Sequence, residues 1–224
     1  MKKNLLAIIS LGLLASCSVK TNEEKARELI EPEVKANLYY PETYEFAKIS
    51  LDSCFSDDAE TQFVALKVGK LWKEYKSSAS AAVEAETQML FHSNPIWHNM
   101  GRNARADQQK QVYKSEMEKA QRKAADAKAE IMKLINKNKQ LLMRRLSGGR
   151  DKSEFAGWVS VFEYRCGNSK GEKKLYSEVL LLNTDFTEIK RCFTDEDLEI
   201  LNSDLFYEIK NEFEDELKDF VWNE

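Results

Sequence analysis

Residues 63–90 read FVALKVGKLWKEYKSSASAAVEAETQML, and apolar or small side chains recur along them at alternating spacings of four and three. This spacing keeps one stripe of a helix facing a partner helix, as in a coiled coil. The stretch therefore predicts a long helix with a heptad seam. The seam positions are Val64, Val68, Leu71, Tyr75, Ser78, Ala82, Ala85 and Met89.

A second seam with the same spacing follows a break that contains Pro95 and Gly101. Two matching seams joined by one break predict an antiparallel helical hairpin over residues 58–149. We expect Ser147-Gly148-Gly149 to end its second helix. The second seam consists of Tyr113, Met117, Ala120, Ala124, Ala127, Ile131, Leu134, Asn138 and Leu141.

Folding back at the break sets the register of the two helices. Ser78 is expected near Ala124 and Ala82 near Ala120, so that small residues meet in a tightly packed middle. Helices of about 30 to 40 residues extend about 45–60 Å. Since a compact body does not need that length, we expect the far end to project.

The flanking segments, residues 23–57 and 150–224, predict an α+β body. Residues 23–38 have the pattern of a helix, broken or restarted at Pro32, and residues 44–55 alternate with the period of a strand. Three later segments rich in Val, Leu, Tyr and Phe predict an antiparallel meander, which the earlier strand is expected to join. They are residues 158–166, 174–183 and 187–193.

Thr194 begins the C-terminal helical region as an N-cap, with acidic residues in the first turn. The region has one apolar face, expected to pack on the meander, at Leu198, Leu201, Leu205, Phe206, Ile209, Phe213, Leu217 and Phe220. The predicted fold class is therefore α+β, with a long antiparallel hairpin attached to a small antiparallel sheet that N- and C-terminal helices cover.

The first residues have the pattern of a secretory signal: Lys2-Lys3, an apolar run, and the ending Leu14-Ala15-Ser16-Cys17. This ending resembles the lipobox of bacterial lipoproteins. The resemblance implies a signal peptide over residues 1–16, lipid on Cys17 and a tether over residues 17–22. The alternative is an uncleaved membrane helix, but the run of about ten apolar residues is half the length that a bilayer requires.

Other parts of the chain broadly resemble uncharacterised lipoproteins of Bacteroidota, through Leu38-Tyr39-Tyr40-Pro41-Glu42-Thr43-Tyr44 and Gly157-Trp158-Val159-Ser160-Val161-Phe162. That resemblance implies no activity. No Asp follows Cys17, and Glu23-Glu24 loosely resembles a surface-export signal. We therefore expect a cell-envelope protein in the outer rather than the inner membrane, with the membrane face left open.

Charge and cysteine content restrict the partners. The net charge is −4 and falls to −6 when Lys2 and Lys3 leave with the signal peptide, which argues against nucleic acid. Cys54, Cys166 and Cys192 permit one disulfide in an oxidising envelope, and burial as three small apolar residues is the other reading. Their spacing is too wide for a zinc knuckle.

The hairpin tip is the first candidate surface, since aromatic residues and Met favour partner binding. The alternative is that Phe91 and Trp97 fold back to cap the coil. The chain's two histidines lie here, but alone they supply too few ligands for zinc, so we expect no metal or cofactor. The candidate partner-binding residues are Phe91, His92, Ile96, Trp97, His98 and Met100.

No nucleophile, phosphate-loop or zinc-protease motif occurs, and we expect no enzyme activity. The predicted function is protein–protein contact or scaffolding through the hairpin, with self-association as one form. The alternative is a glycan or small-molecule pocket at Trp158, Tyr164 and Tyr176, although such residues are more often core. A hydrolase with paired carboxylates is the third reading.

Overall fold

The computed structural model describes residues 20–93, 103–146 and 153–218. It confirms the predicted α+β class, with a four-stranded antiparallel sheet and a long antiparallel pair of helices. The sheet has helices on both faces, so the body consists of three layers.

Helix α1, Asn22–Ala36, begins with a capping box between Thr21 and Glu24. The predicted break at Pro32 is wrong, because the helix runs through it. Pro32 removes one backbone hydrogen bond, and burial of the apolar face on the sheet offsets that loss. The buried residues of this face are Ala26, Ile30 and Val34.

After a 3₁₀ turn at Pro41–Thr43, the sheet forms from β1 (Glu45–Phe55), β2 (Phe155–Gly167), β3 (Lys173–Leu182) and β4 (Ile189–Phe193). Neighbours in sequence are neighbours in the sheet. The predicted meander is confirmed, and so is the expectation that the earlier strand joins it; the structure shows that β1 pairs with β2. The hairpin is thus inserted between two adjacent strands.

The hairpin consists of α2 (Ser56–His92), α3 (Asn103–Lys137) and α4 (Lys139–Leu146). The second helix is interrupted at Asn138, where the backbone N–H and the side-chain amide both donate to the Leu134 carbonyl. Residues 147–149, predicted to end it, lie outside the described residues. Every predicted seam position is buried or half-buried.

Three short helices follow β4: α5 (Asp195–Asn202), α6 (Leu205–Glu212) and α7 (Glu214–Leu217). The Thr194 cap is confirmed, with a capping box to Asp197. These helices pack on the base of the hairpin as well as on the sheet. Phe213 meets the stacked rings of Trp72 and Tyr75 edge-on.

Two separate cores lie on opposite faces of the sheet because strand side chains alternate. Phe162 and Leu180 point to the face covered by α1. Leu181 and Phe193 point to the face covered by the hairpin base and α5–α7. Alternate side chains of β2 and β3 therefore pack against different helical layers.

Candidate functional site

The outer part of the hairpin extends beyond the body. The outermost described ion pair from α2 to the body joins Lys76 to α6, and the outermost one from α3 joins Lys128 to α7. After Lys76, α2 continues for about 24 Å at the helical rise of 1.5 Å per residue. We define the distal arm as residues 77–92 together with residues 103–127.

Small side chains fill the seam of the distal arm, which permits close approach of the two helices. The buried ones are Ser78, Ala82, Ala85, Ala106, Ala124 and Ala127. Near the end of α2, His92 stacks on Tyr113, with ring centroids 5.4 Å apart and ring planes 10° apart. The seam is therefore occupied along the described length of the arm.

Four apolar side chains lie on the outside of the distal arm. Val83 is 63% exposed, Leu90 62%, Phe91 52% and Val112 49%. Val83 and Leu90 are seven residues apart and share one face of α2. We call these four the distal apolar surface. Since they lie off the seam, pairing of α2 with α3 does not explain why they are apolar.

The residues predicted at the tip divide into three groups. Phe91 is exposed and belongs to the distal apolar surface, whereas His92 is half-buried in the seam. Ile96, Trp97, His98 and Met100 lie outside the described residues. Sequence reasoning missed Val83, Leu90 and Val112, and the signal was apolar residues at heptad positions that face away from the partner helix.

The aromatic residues proposed for a sheet pocket do not share one. Tyr164 is buried, stacks on Tyr176 at 5.6 Å between centroids, and donates its hydroxyl hydrogen to Glu178 at 2.9 Å. Trp158 lies six residues away on the same strand, about 20 Å, and stacks on Phe186. The structure therefore separates Trp158 from the pair of tyrosines.

A groove of about 660 Å³ lies instead between α1 and the last two strands. Its volume is within the range of small-ligand sites. The apolar part of its lining consists of Leu29, Ile30, Val34, Leu180 and Ile189. Glu33, Glu178 and Cys192 contribute polar atoms. Sequence reasoning missed this groove because it did not predict which face of the sheet α1 covers.

The groove lacks an activated nucleophile at its cysteine. Partial desolvation of this otherwise exposed residue, together with the carboxylates of Glu178 and Asp197, raises the pKa of the Cys192 thiol. A raised pKa keeps the thiol protonated at neutral pH, and the thiolate is the reactive form. Burial and the hydrogen bond to Glu178 likewise raise the pKa of Tyr164.

The buried carboxylate of Asp197 joins neighbouring elements of the fold. Burial alone would raise its pKa, but Arg191 at 2.9 Å, the Thr194 backbone N–H and Lys70 at 3.3 Å together lower it. The group links β4, α5 and α2. Among the described residues, no group of three or more His, Cys, Asp or Glu side chains could hold a metal ion.

No disulfide joins Cys54, Cys166 and Cys192 to one another; the first two are buried and the third is exposed. Of the two readings, burial as small apolar residues therefore holds for Cys54 and Cys166 but not for Cys192. Cys17 lies outside the described residues.

No protein-family model matches this sequence, and neither a curated protein nor a solved structure matches it significantly. In the described part of the chain, none of the helices combines the length and the apolar character needed to cross a membrane.

Proposed function

We propose that this protein is a lipid-anchored, non-catalytic component of the cell envelope that contacts or holds another envelope protein through its helical hairpin. The observation that supports it best is the distal arm, which extends about 24 Å past the outermost described ion pair with the body and carries the distal apolar surface.

The physical argument concerns the cost of exposed apolar area. Each apolar side chain left in water forgoes about 25 cal/mol per Å² of the free energy that burial would provide. Val83, Leu90 and Phe91 lie within nine residues of one helix, and Val112 lies on the other. Several exposed apolar side chains on one projecting arm favour contact with a partner.

The anchor in this proposal is lipid on Cys17, after removal of residues 1–16, as in the lipoproteins that the Leu14-Ala15-Ser16-Cys17 motif resembles. Multiple acyl chains give stable membrane attachment, whereas one is marginal. We place the protein in the outer rather than the inner membrane. A tethered body with a protruding arm would hold the distal apolar surface away from its own attachment point.

In-cell photo-crosslinking tests the proposal. A photoreactive side chain is introduced at positions 90, 91 and 97, and at position 116 as a matched exposed control on the polar side of α3. Discrete adducts from the first three positions, but not from the control, would support a partner and identify it by mass spectrometry. Background labelling at every position, with the protein folded and lipidated, would contradict the proposal.

The second candidate is a glycan or small-molecule binder, and the groove between α1 and the last two strands favours it. A ligand that binds only the folded state raises the melting temperature. A thermal-shift screen with envelope glycans therefore tests it. A shift that Glu178→Gln removes would support this candidate, and no shift with any glycan would count against it.

A further inference from the structure

Strand β4 covers only part of the edge of β3. The β2–β3 ladder runs without a register shift from Gly167 opposite Lys173 to Trp158 opposite Leu182. β4 pairs only with residues 179–182 of β3. Among the described strands, residues Lys173–Glu178 therefore have a neighbour on one side only, and we call them the open edge of β3.

The open edge has unpaired backbone groups. Within the part of the chain that the structure describes, no backbone hydrogen bond joins these residues to a segment other than β2. In a strand, alternate residues direct N–H and C=O groups to each side, so about half of those in the open edge face outward. Most residues of the open edge are exposed, including Leu175 and Tyr176.

The chain cannot cover this edge by extending β4. Thr194 follows directly and caps α5, and Asp197 of the same capping box binds Arg191 of β4. These contacts turn the chain onto the hairpin face of the sheet. A longer β4 would break the cap at Thr194 and leave the buried carboxylate of Asp197 without its partners. The loss of such partners costs several kcal/mol in typical proteins.

The open edge is regular. Bulges, which protect strand edges from pairing, interrupt β1 near Phe46 and β4 near its pairing with Leu182, but the β2–β3 ladder contains none. Tyr176 is held by stacking on the buried Tyr164, whose hydroxyl group binds Glu178. Glu178 also lines the groove beside α1, so the edge and the groove are continuous.

We propose that the open edge of β3 binds an extended peptide segment of another protein, which adds to the sheet as a strand in line with β4. Unpaired backbone groups on a regular edge are the chemistry that such strand addition uses. This surface lies on the body, so the inference is independent of the proposed role of the hairpin.

The side chains of the open edge indicate which residues a bound peptide would carry. Lys174, Tyr176 and Glu178 share the face toward α1, and the neighbouring Lys173 is already engaged by Glu45. Directly opposite residues interact across strands, and opposite charges there are favourable. A segment antiparallel to β3 would therefore carry a basic, an aromatic and an acidic residue at alternate positions, with an apolar residue opposite Leu175.

The test uses the full chain in detergent micelles and the synthetic peptide acetyl-TKTFVET-amide, whose Lys, Phe and Glu match that pattern. Two further peptides are N-methylated at alternate residues, one on the odd and one on the even positions. Binding is measured by fluorescence anisotropy, and hydrogen exchange at amides 173–178 is followed by NMR. We expect a dissociation constant of about 1 mM or tighter.

Strand addition predicts that one N-methylated peptide loses binding by about tenfold or more while the other retains it, because only one set of N–H groups faces β3. It also predicts that Leu175→Lys weakens binding about tenfold, whereas Tyr207→Lys, at an exposed residue of α6, has no effect. Equal binding of the three peptides, or no binding at several times 1 mM, would overturn the proposal.

Discussion

Gly69 of α2 and Ile200 of α5 leave no room for a methyl group between them: a Cβ atom on Gly69 would lie 2.3 Å from Cγ2 of Ile200. The branch of Ile200 is attached at its own Cβ and its side chain is buried, so it cannot swing aside. This close approach lies between the hairpin base and the C-terminal helices.

We therefore expect Gly69→Ala to lower the free energy of unfolding by about 1–2 kcal/mol, since overpacking outweighs the gain in helix propensity of about 1 kcal/mol. Urea denaturation measures the change. Ile200→Ala alone should cost about 2–5 kcal/mol. The double variant should cost less than the sum of the two, and strict additivity would contradict the contact. Ser80→Ala, at an exposed position of the same helix, is the control for propensity.

Asp197→Asn should lower the free energy of unfolding by about 2 kcal/mol at pH 7, because it removes a buried carboxylate from Arg191 and Lys70. The pKa of Asp197 in the folded protein lies below its ordinary value of 3.8. Its stabilisation is therefore complete above that value and is lost as the pH falls through the lowered pKa.

Denaturation curves from pH 7 to pH 3 check this dependence. The difference between the wild-type protein and Asp197→Asn should shrink below about pH 4. Asp195→Asn, at an exposed first-turn position, should cost less than about 1 kcal/mol. A difference between wild type and Asp197→Asn that grows on acidification would show that the carboxylate does not stabilise the fold in this way.

The seam of the distal arm should reject large side chains. Ala85→Leu places three extra carbon atoms at a buried position and should lower the free energy of unfolding by about 1–3 kcal/mol. Val83→Leu, on the outside of the same helix, should change it by less than about 0.5 kcal/mol. Thermal unfolding followed by circular dichroism compares the two. Equal effects would contradict the assignment of seam and outer face.

The thiols should differ in reactivity. In a chain with Cys17→Ser, one thiol should react with a disulfide reagent in the folded state, and two more only after unfolding, because Cys54 and Cys166 are buried. The pKa of Cys192 is raised above its ordinary value of 9.0, so the rate at this residue should still increase above pH 9. Cys192→Ser should remove the fast phase of the thiol reaction if Cys192 is the thiol that reacts in the folded state.

Much of this fold was predictable from the spacing of apolar residues. The heptad pattern located the seam, and the strand periods located the meander, since both patterns report contacts within a regular element. Trp72 and Ile200 were missed as core residues. Near the body the hairpin is surrounded on several sides, and a heptad describes only the side that faces the partner helix.

The candidate surfaces were less predictable. Trp158 and Tyr164 are an even number of residues apart on β2, which correctly places them on one face of the sheet. Even spacing does not show how far apart two residues lie along the strand. The open edge of β3 depends on where β4 ends, and that point is set by the Thr194 cap and the Asp197–Arg191 ion pair, which lie outside β3 in the sequence. The sequence pattern of β3 alone does not contain this information.

The insertion of the hairpin between β1 and β2 also has a mechanical consequence. A pulling force applied between residue 20 and the far end of α2 would enter β1 at Glu45 and leave it at Phe55. It would therefore be carried along the backbone of β1, which is already extended in the sheet. The ten paired positions between β1 and β2 would not lie in the path of the force, so tension on the arm would reach the N-terminal segment without separating the two strands.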